Sequence, residues 1–201
     1  MLIGVGLGPG DPELLTLRAI KILKQSKKVY VPGSLAKELV KPYNKEIITL
    51  DFPMIKDIEV LNKIWEKNAD IVAKDAKEDL VSFGSIGDPN FFSTFIHIRK
   101  KIEDKYPEIE IATIPGISSI TAFASKTNTY MDESFEVNVG TAINSKIILK
   151  AKHPKVLVKE LKNKGYSEFI FSERLYLDKE NITSDIPDKG DYLSILYARK
   201  S

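Results

Sequence analysis

The stretch Leu2-Ile3-Gly4-Val5-Gly6-Leu7-Gly8-Pro9-Gly10-Asp11-Pro12-Glu13-Leu14-Leu15-Thr16 constrains the fold more than any other. An apolar, branched run that breaks into glycines and then meets Asp-Pro-Glu predicts a buried strand, a tight loop and a helix start. Asp11 is the expected N-cap and Pro12 the first helical residue, where a missing N–H costs nothing. The glycine spacing argues against phosphate. Gly-x-Gly-x-x-Gly is not met, because Gly4-Val5-Gly6 is followed three residues later by Pro9 and Gly6-Leu7-Gly8 by Asp11, and no Gly-Lys-Ser/Thr follows. Pro9 and Pro12 also remove two amides that would cradle an anion, and Asp11 puts a negative charge where it would sit.

Downstream, the same strand-loop-helix unit recurs. Leu14, Leu17, Ile20 and Leu23 fall at helical spacing; residues 29–31 predict a strand, and Ser34 caps a helix running to Val40. Residues 46–50 form a third strand and residues 57–76 a long amphipathic helix with Ile58, Leu61, Ile64, Trp65, Ile71 and Val72. Residues 80–83 show no polar alternation, as a buried parallel strand requires. They run into a second glycine loop, Gly84 to Pro89, ahead of a helix predicted to carry Phe91, Phe92, Phe95, Ile98 and Ile102. A fifth strand over 108–114 is closed by Pro115-Gly116-Ile117-Ser118-Ser119 and another helix start. Five such units predict an α/β domain over 1–114, with a mostly parallel sheet and helices on both faces.

Beyond Asn128 the pattern changes. Phe135-Glu136-Val137-Asn138-Val139 alternates with period two, and strands are expected at 146–149, 168–172, 181–183 and 192–198, with a helix over 154–164. Residues 115–201 therefore read as a second α/β domain with a mixed, largely antiparallel sheet. No flexible linker separates the halves, so a ligand cleft between two packed domains is the expectation. Three loops, at 8–11, 84–89 and 115–119, follow apolar strands. Ligands of open α/β sheets bind outside the carboxyl ends of strands, so these loops are expected to converge on one crevice.

Composition narrows the chemistry. The net charge of the 201 residues is only +2, which gives no general attraction to nucleic acid or to a membrane surface. The absence of cysteine excludes disulfides, thiolate metal sites and cysteine nucleophiles, and fits a reducing compartment. No basic leader opens the chain and no run reaches about 18 apolar residues, so a cytoplasmic location is expected. His97 and His153 lack a spaced carboxylate cluster, so no protein-bound metal is expected.

The order of motifs resembles the tetrapyrrole methylase family. Besides the first loop, the resemblance rests on Tyr30-Val31-Pro32-Gly33-Ser34, Phe52-Pro53-Met54, Gly87-Asp88-Pro89-Asn90-Phe91-Phe92-Ser93-Thr94-Phe95, and Pro115-Gly116-Ile117-Ser118-Ser119-Ile120-Thr121-Ala122. Phe171-Ser172-Glu173-Arg174 and Tyr192-Leu193-Ser194-Ile195 complete it. The Phe-Pro-Met and Gly-Asp-Pro stretches are most similar to the branch that methylates C-20 of cobalt-factor II (cobalt-precorrin-2) in anaerobic cobalamin biosynthesis. The resemblance implies a homodimeric C-methyltransferase with S-adenosyl-L-methionine as methyl donor and a cobalt-containing tetrapyrrole as substrate. It implies that the donor is touched by Pro9, Gly84, Gly87, Asp88, Phe91, Ser118, Ser119, Leu149 and Ala151, with Gly10 and Asp11 near the substrate. The segment 129–152 is about ten residues shorter than in the family, and Ile148-Leu149-Lys150 stands where relatives have Leu-Met-Lys. Other readings stay open: a different corrin or sirohaem position, the diphthine synthase branch, or a non-catalytic tetrapyrrole-binding module. Asp11, Asp88, Ser118 and Ser119 are also explained as helix caps, and Lys56, Arg99 and Arg174 are candidates to hold substrate carboxylates.

Overall fold

A computed structural model describes residues 1–200. The chain forms two compact units, Met1–Asp132 and Glu133–Ser201, each with its own sheet. The end expected for the first domain, residue 114, is the last residue of that unit's fifth strand; the helix after it also belongs to the first unit.

In the first unit, β1 (Leu2–Gly6), β2 (Lys28–Val31), β3 (Ile47–Thr49), β4 (Val81–Ser85) and β5 (Ile111–Ile114) form a wholly parallel sheet in the order β3-β2-β4-β1-β5. Parallel strands need long crossovers, and the helices supply them on both faces. On one face, α1 (Leu17–Gln25) and α2 (Ser34–Val40) bury Ala19, Leu23, Ala36, Leu39 and Val40 against Ile3, Val5, Val29 and Val31. On the other, α3 (Ile58–Ala76) and α4 (Phe95–Lys105) bury Ala69, Val72, Ala73, Phe95, Ile98 and Ile102 against Leu2, Tyr30, Val81 and Phe83. Every residue of β1 and β4 is buried, which is why neither strand alternates. The hydroxyl of the fully buried Tyr30 donates to Asp75, which also pairs with Lys28 at 2.8 Å, so the polar end of the ring is satisfied.

Several predicted boundaries move. Asp11 caps a short 3₁₀ turn, Pro12–Leu14, accepting from the Glu13 N–H at 2.9 Å. The α-helix begins only at Leu17, with the Thr16 hydroxyl accepting from Ala19 N–H. That shift rotates the apolar stripe: Leu17 is 87% exposed while Ala19 and Leu23 are buried. The α2 helix is preceded by Gly33 as N-cap, with Ser34 its first residue. The α4 helix starts at Phe95, leaving Phe91 and Phe92 in the turn before it, both exposed.

In the second unit, β6 (Ser145–Leu149), β7 (Glu168–Glu173), β8 (Asn181–Thr183) and β9 (Ser194–Arg199) pair antiparallel throughout, in the order β6-β9-β7-β8. One face packs Phe171, Leu196 and Ala198 against Leu161 of α6 (Pro154–Lys162). The other carries Ile147, Leu149, Ile170 and Ile182, all exposed. The period-two alternation over 135–139 does not become a strand. Phe135, Val137 and Val139 are exposed, so the alternation there has neither a sheet neighbour nor an apolar surface to bury against.

The α3·α4 contact stacks Trp65 on His97, centroids 3.8 Å apart and 12° between planes. Burial, then the charge of Lys100, holds the His97 imidazolium below its ordinary pKa of 6.5. The folded state thus binds this proton less well than the unfolded state, so the contribution is intact above pH 6.5 and declines as pH falls through the lower folded value. Trp65 is the single tryptophan. Its emission should titrate below pH 6.5, and His97→Gln should abolish the step; a step that survives the substitution would assign it to another group.

Candidate functional site

The sheet order makes β4, β1 and β5 neighbours, so the turns following them leave the sheet side by side at its carboxyl edge. The chain after β1 passes to the α1/α2 face and the chain after β4 to the α3/α4 face. Adjacent strands that send their connections to opposite faces define the switch point where open α/β sheets bind ligands. Leu7 N–H donates to Ser85 C=O at 2.8 Å, and Gly8 and Gly87 exchange both main-chain bonds, at 3.3 and 2.7 Å. The first two loops are thus one short antiparallel bridge.

The third loop joins through bare backbone. A Cβ on Gly6 would fall 2.5 Å from Gly116 Cα and 2.8 Å from Gly87 O, and one on Gly116 would fall 2.7 Å from Gly6 Cα. No side chain fits at either position. Asp88 closes the arrangement. It is only 7% exposed, and its two carboxylate oxygens accept from different amides: Oδ1 from Asn90 N–H at 2.8 Å, Oδ2 from Gly116 N–H at 3.0 Å. One bond shapes its own turn and the other fastens that turn to the third loop, each charge-assisted. The Asn90 amide adds a bond to Thr113 Oγ1 at 3.2 Å, and the Ser93 hydroxyl donates to Ser85 Oγ at 2.9 Å.

Around this junction the expected site residues fall into distinct groups. Gly87 has φ +74° with nothing within 4 Å of a built Cβ, so its turn offers an open main-chain surface. Gly10, φ +126°, is equally open, and Pro9 lies between it and Gly8. Gly84 differs: its missing Cβ admits the Leu7 side chain, which makes it a packing glycine. Ser118 is the N-cap of α5 (Ser119–Thr127), yet its side chain makes no cap bond. Ser118 and Ser119 thus bring two hydroxyls to a helix start without spending Ser118's on the helix. Phe91 and Phe92 project at 47% and 61% exposure from the fastened turn. Phe92 sits at φ +51°, a left-handed conformation costing about 1–2 kcal/mol for a side-chain-bearing residue. Sequence reasoning assigned no site role to Gly6, Asn90, Phe92 or Gly116; all four lay in quoted motifs, but their contacts and backbone demands are visible only in three dimensions.

Leu149 and Ala151 belong to the second unit. Leu149 is exposed, whereas Ala151 is buried, its N–H bonded to Ser194 C=O at 3.3 Å. Asp11 is exposed and spent on its cap. Arg99 pairs with Glu103 on its own helix at 2.7 Å. The grooves along α3 are lined by Lys63, Glu66, Asp70 and Lys74 and include none of these turn residues.

Two glycine substitutions separate close packing from backbone conformation. Gly87→Ala meets only the strain of a positive φ and should cost about 1–2 kcal/mol. Gly6→Ala must displace two loops and should cost more, with overpacking alone about 1–3 kcal/mol. Denaturant unfolding of the two variants checks the order; equal losses would contradict the backbone contact.

Comparison with known proteins agrees with this arrangement. The family described as Tetrapyrrole (Corrin/Porphyrin) Methylases matches residues 1–175. A Methanocaldococcus jannaschii protein named "Probable cobalt-precorrin-2 C(20)-methyltransferase" is 43% identical over 141 residues, 66% of this chain and 60% of that protein. The Salmonella typhimurium cobalt-precorrin-2 C(20)-methyltransferase is 33% identical over 136 residues, 62% of this chain and 56% of that one. The chain thus spans less than two thirds of the length of these relatives. A second M. jannaschii protein, named for cobalt-precorrin-7 C(5)-methyltransferase, is 32% identical over 191 residues, 91% of this chain and 84% of its own. Among solved structures, the Thermus thermophilus uroporphyrin-III-C-methyltransferase shares the fold at TM-score 0.51 and 17% identity, over 99% of this chain and 91% of that one. The family match over most of the sequence, on a fold of this kind, makes the chain a member of the tetrapyrrole (corrin/porphyrin) methylases.

Proposed function

We propose that the chain is a methyltransferase acting on C-20 of cobalt-factor II (cobalt-precorrin-2), with S-adenosyl-L-methionine as donor. The observation that carries the reading is the 43% identity to the C(20)-named relative, over a stretch as long as the unit that holds the three fastened turns. When bound, S-adenosylmethionine supplies a methyl group activated by its sulfonium charge. The residues present suit such a donor. Open main chain at Gly87 and Gly10 lets a ligand approach closely, and Ser118 and Ser119 offer hydroxyls to its polar ends. Phe91 offers an aromatic wall, and Pro9 shapes the facing loop.

Asp88 contributes by position. With both oxygens on amides, it sets the distance between the Gly87 turn and the Gly116 turn, and its charge would favour a cationic donor held there. Leu149 is proposed as a further donor contact, and Ala151, only 1% exposed with its N–H on Ser194 C=O, is proposed to fix the turn beside it. The protein's task is then chiefly to orient two reactants and exclude water. The cobalt ion belongs to the substrate.

A second reading, methylation at C-5, is favoured by coverage: the C(5)-named relative matches along 91% of this chain and 84% of its own length. Carbon-13 labelled methyl donor incubated with reduced cobalt-factor II and, in a second reaction, with a later cobalt-containing precursor, followed by mass spectrometry and NMR, separates the two. A labelled methyl on C-20 is expected; transfer only to C-5 of a later precursor would support the second reading, and no transfer to any ring would overturn both. Asp88→Ala should weaken donor binding about tenfold or more in calorimetry, because the Gly87 and Gly116 turns lose the carboxylate that fixes their spacing. Unchanged affinity would remove the positioning role.

A further inference from the structure

The ends of β6 and β7 and the start of β9 meet at one end of the second unit's sheet, where the register sets Leu149 beside Ile195 and Glu173 beside Ser194. Three cations collect there. Lys150 and Lys152 place their ammonium groups 5.1 and 5.8 Å from the centroid of one ring, Tyr192. Neither lysine has a carboxylate partner among the described residues. Arg174, whose N–H donates to Leu193 C=O, has a single long contact to Asp191 at 3.5 Å, and its Nε is buried with no partner among the described residues.

The backbone beneath them is built. Lys150 and Arg174 both adopt left-handed conformations, φ +55° and +54°. Gly190 N–H donates to Lys152 C=O at 2.9 Å, and a Cβ on Gly190 would fall 2.6 Å from Ala151 O, so the two turns interlock as only a glycine permits. The acids at this end are already engaged. Asp191 accepts from Leu193 N–H at 3.0 Å and Glu173 from Asp191 N–H at 2.7 Å. Two lysines held beside one ring on a strained, interlocked turn repel each other, and a shared anion relieves that repulsion. Mobile ammonium groups beside a guanidinium suit several carboxylates on flexible arms better than one rigid phosphate.

We propose that this end of the second unit's sheet, formed by Lys150, Lys152, Tyr192 and Arg174, binds the carboxylate side arms of the ring substrate. The identity of that acid rests on the tetrapyrrole reading above; the anionic character of the ligand rests on the cluster itself.

The test is fluorescence titration of the full chain with uroporphyrin III, an octacarboxylate ring, at low and high salt. Lys150→Gln/Lys152→Gln should weaken binding about tenfold at low salt and flatten the salt dependence, whereas Lys159→Gln/Lys162→Gln, which removes the same charge from the exposed side of α6, should leave it within about twofold. Thermal melts of both variants should match the parent, because all four side chains are exposed. Equal binding by the two double variants, or no binding of uroporphyrin by the parent, overturns the assignment. If the parent methylates a ring while Lys150→Gln/Lys152→Gln binds uroporphyrin unchanged, the cluster fails and the methyltransferase reading stands. If charge-dependent binding is seen but no ring is methylated, the reverse holds.

Discussion

Main chain touching main chain at Gly6, Gly87 and Gly116 is the constraint on which the first unit's site depends. Neighbouring strands keep their backbones about 4.8 Å apart through ladder bonds. Past the sheet edge nothing enforces that spacing, and loops normally diverge. Here they stay together because no Cβ intervenes and because one buried carboxylate takes an amide from each side. Glycine costs conformational entropy in the unfolded chain, and a buried carboxylate costs desolvation. Both costs are borne at the switch point of the sheet, where a ligand gains most from a fixed surface.

The repeating strand-loop-helix pattern was legible because parallel strands buried on both faces leave uninterrupted apolar runs, as in β1 and β4. The convergence of three loops followed from strand ends alone. What was not legible was how each glycine is used. Gly84 and Gly87 share a motif, yet one makes room for Leu7 and the other bends the chain at positive φ with open space beside it. Asp88 read equally well as a cap and as a ligand contact; the partner that defines it, Gly116 N–H, is 28 positions away. Helix starts slipped for a local reason. Asp11-Pro12 does start a turn, but a single 3₁₀ turn, and the Thr16 cap begins the α-helix afresh. Residues 135–139 mislead because alternation reports a pleat only where a neighbouring strand is present.

The two units differ in how their sheets are covered. Helices clothe both faces of the first, and the hydroxyl of its fully buried Tyr30 is answered by Asp75, which also pairs with Lys28. In the second, α6 covers one face and the other presents Ile147, Leu149, Ile170 and Ile182. Fewer apolar contacts per strand imply a lower free energy of local opening there. The turns that interlock at Gly190 and Ala151 carry the basic cluster of that unit.

The segment between β4 and α4 is held at three points. Ser93 is tied to Ser85 at its base, Asp88 to Gly116 at its middle, and the Phe95 ring at its far end occupies the slot left by the absent Gly4 side chain. A span pinned in this way does not swing as a flap. A ligand resting on it would meet a surface already fixed in place, and the strength of its contacts, without a swing of this turn, would set how long it stays.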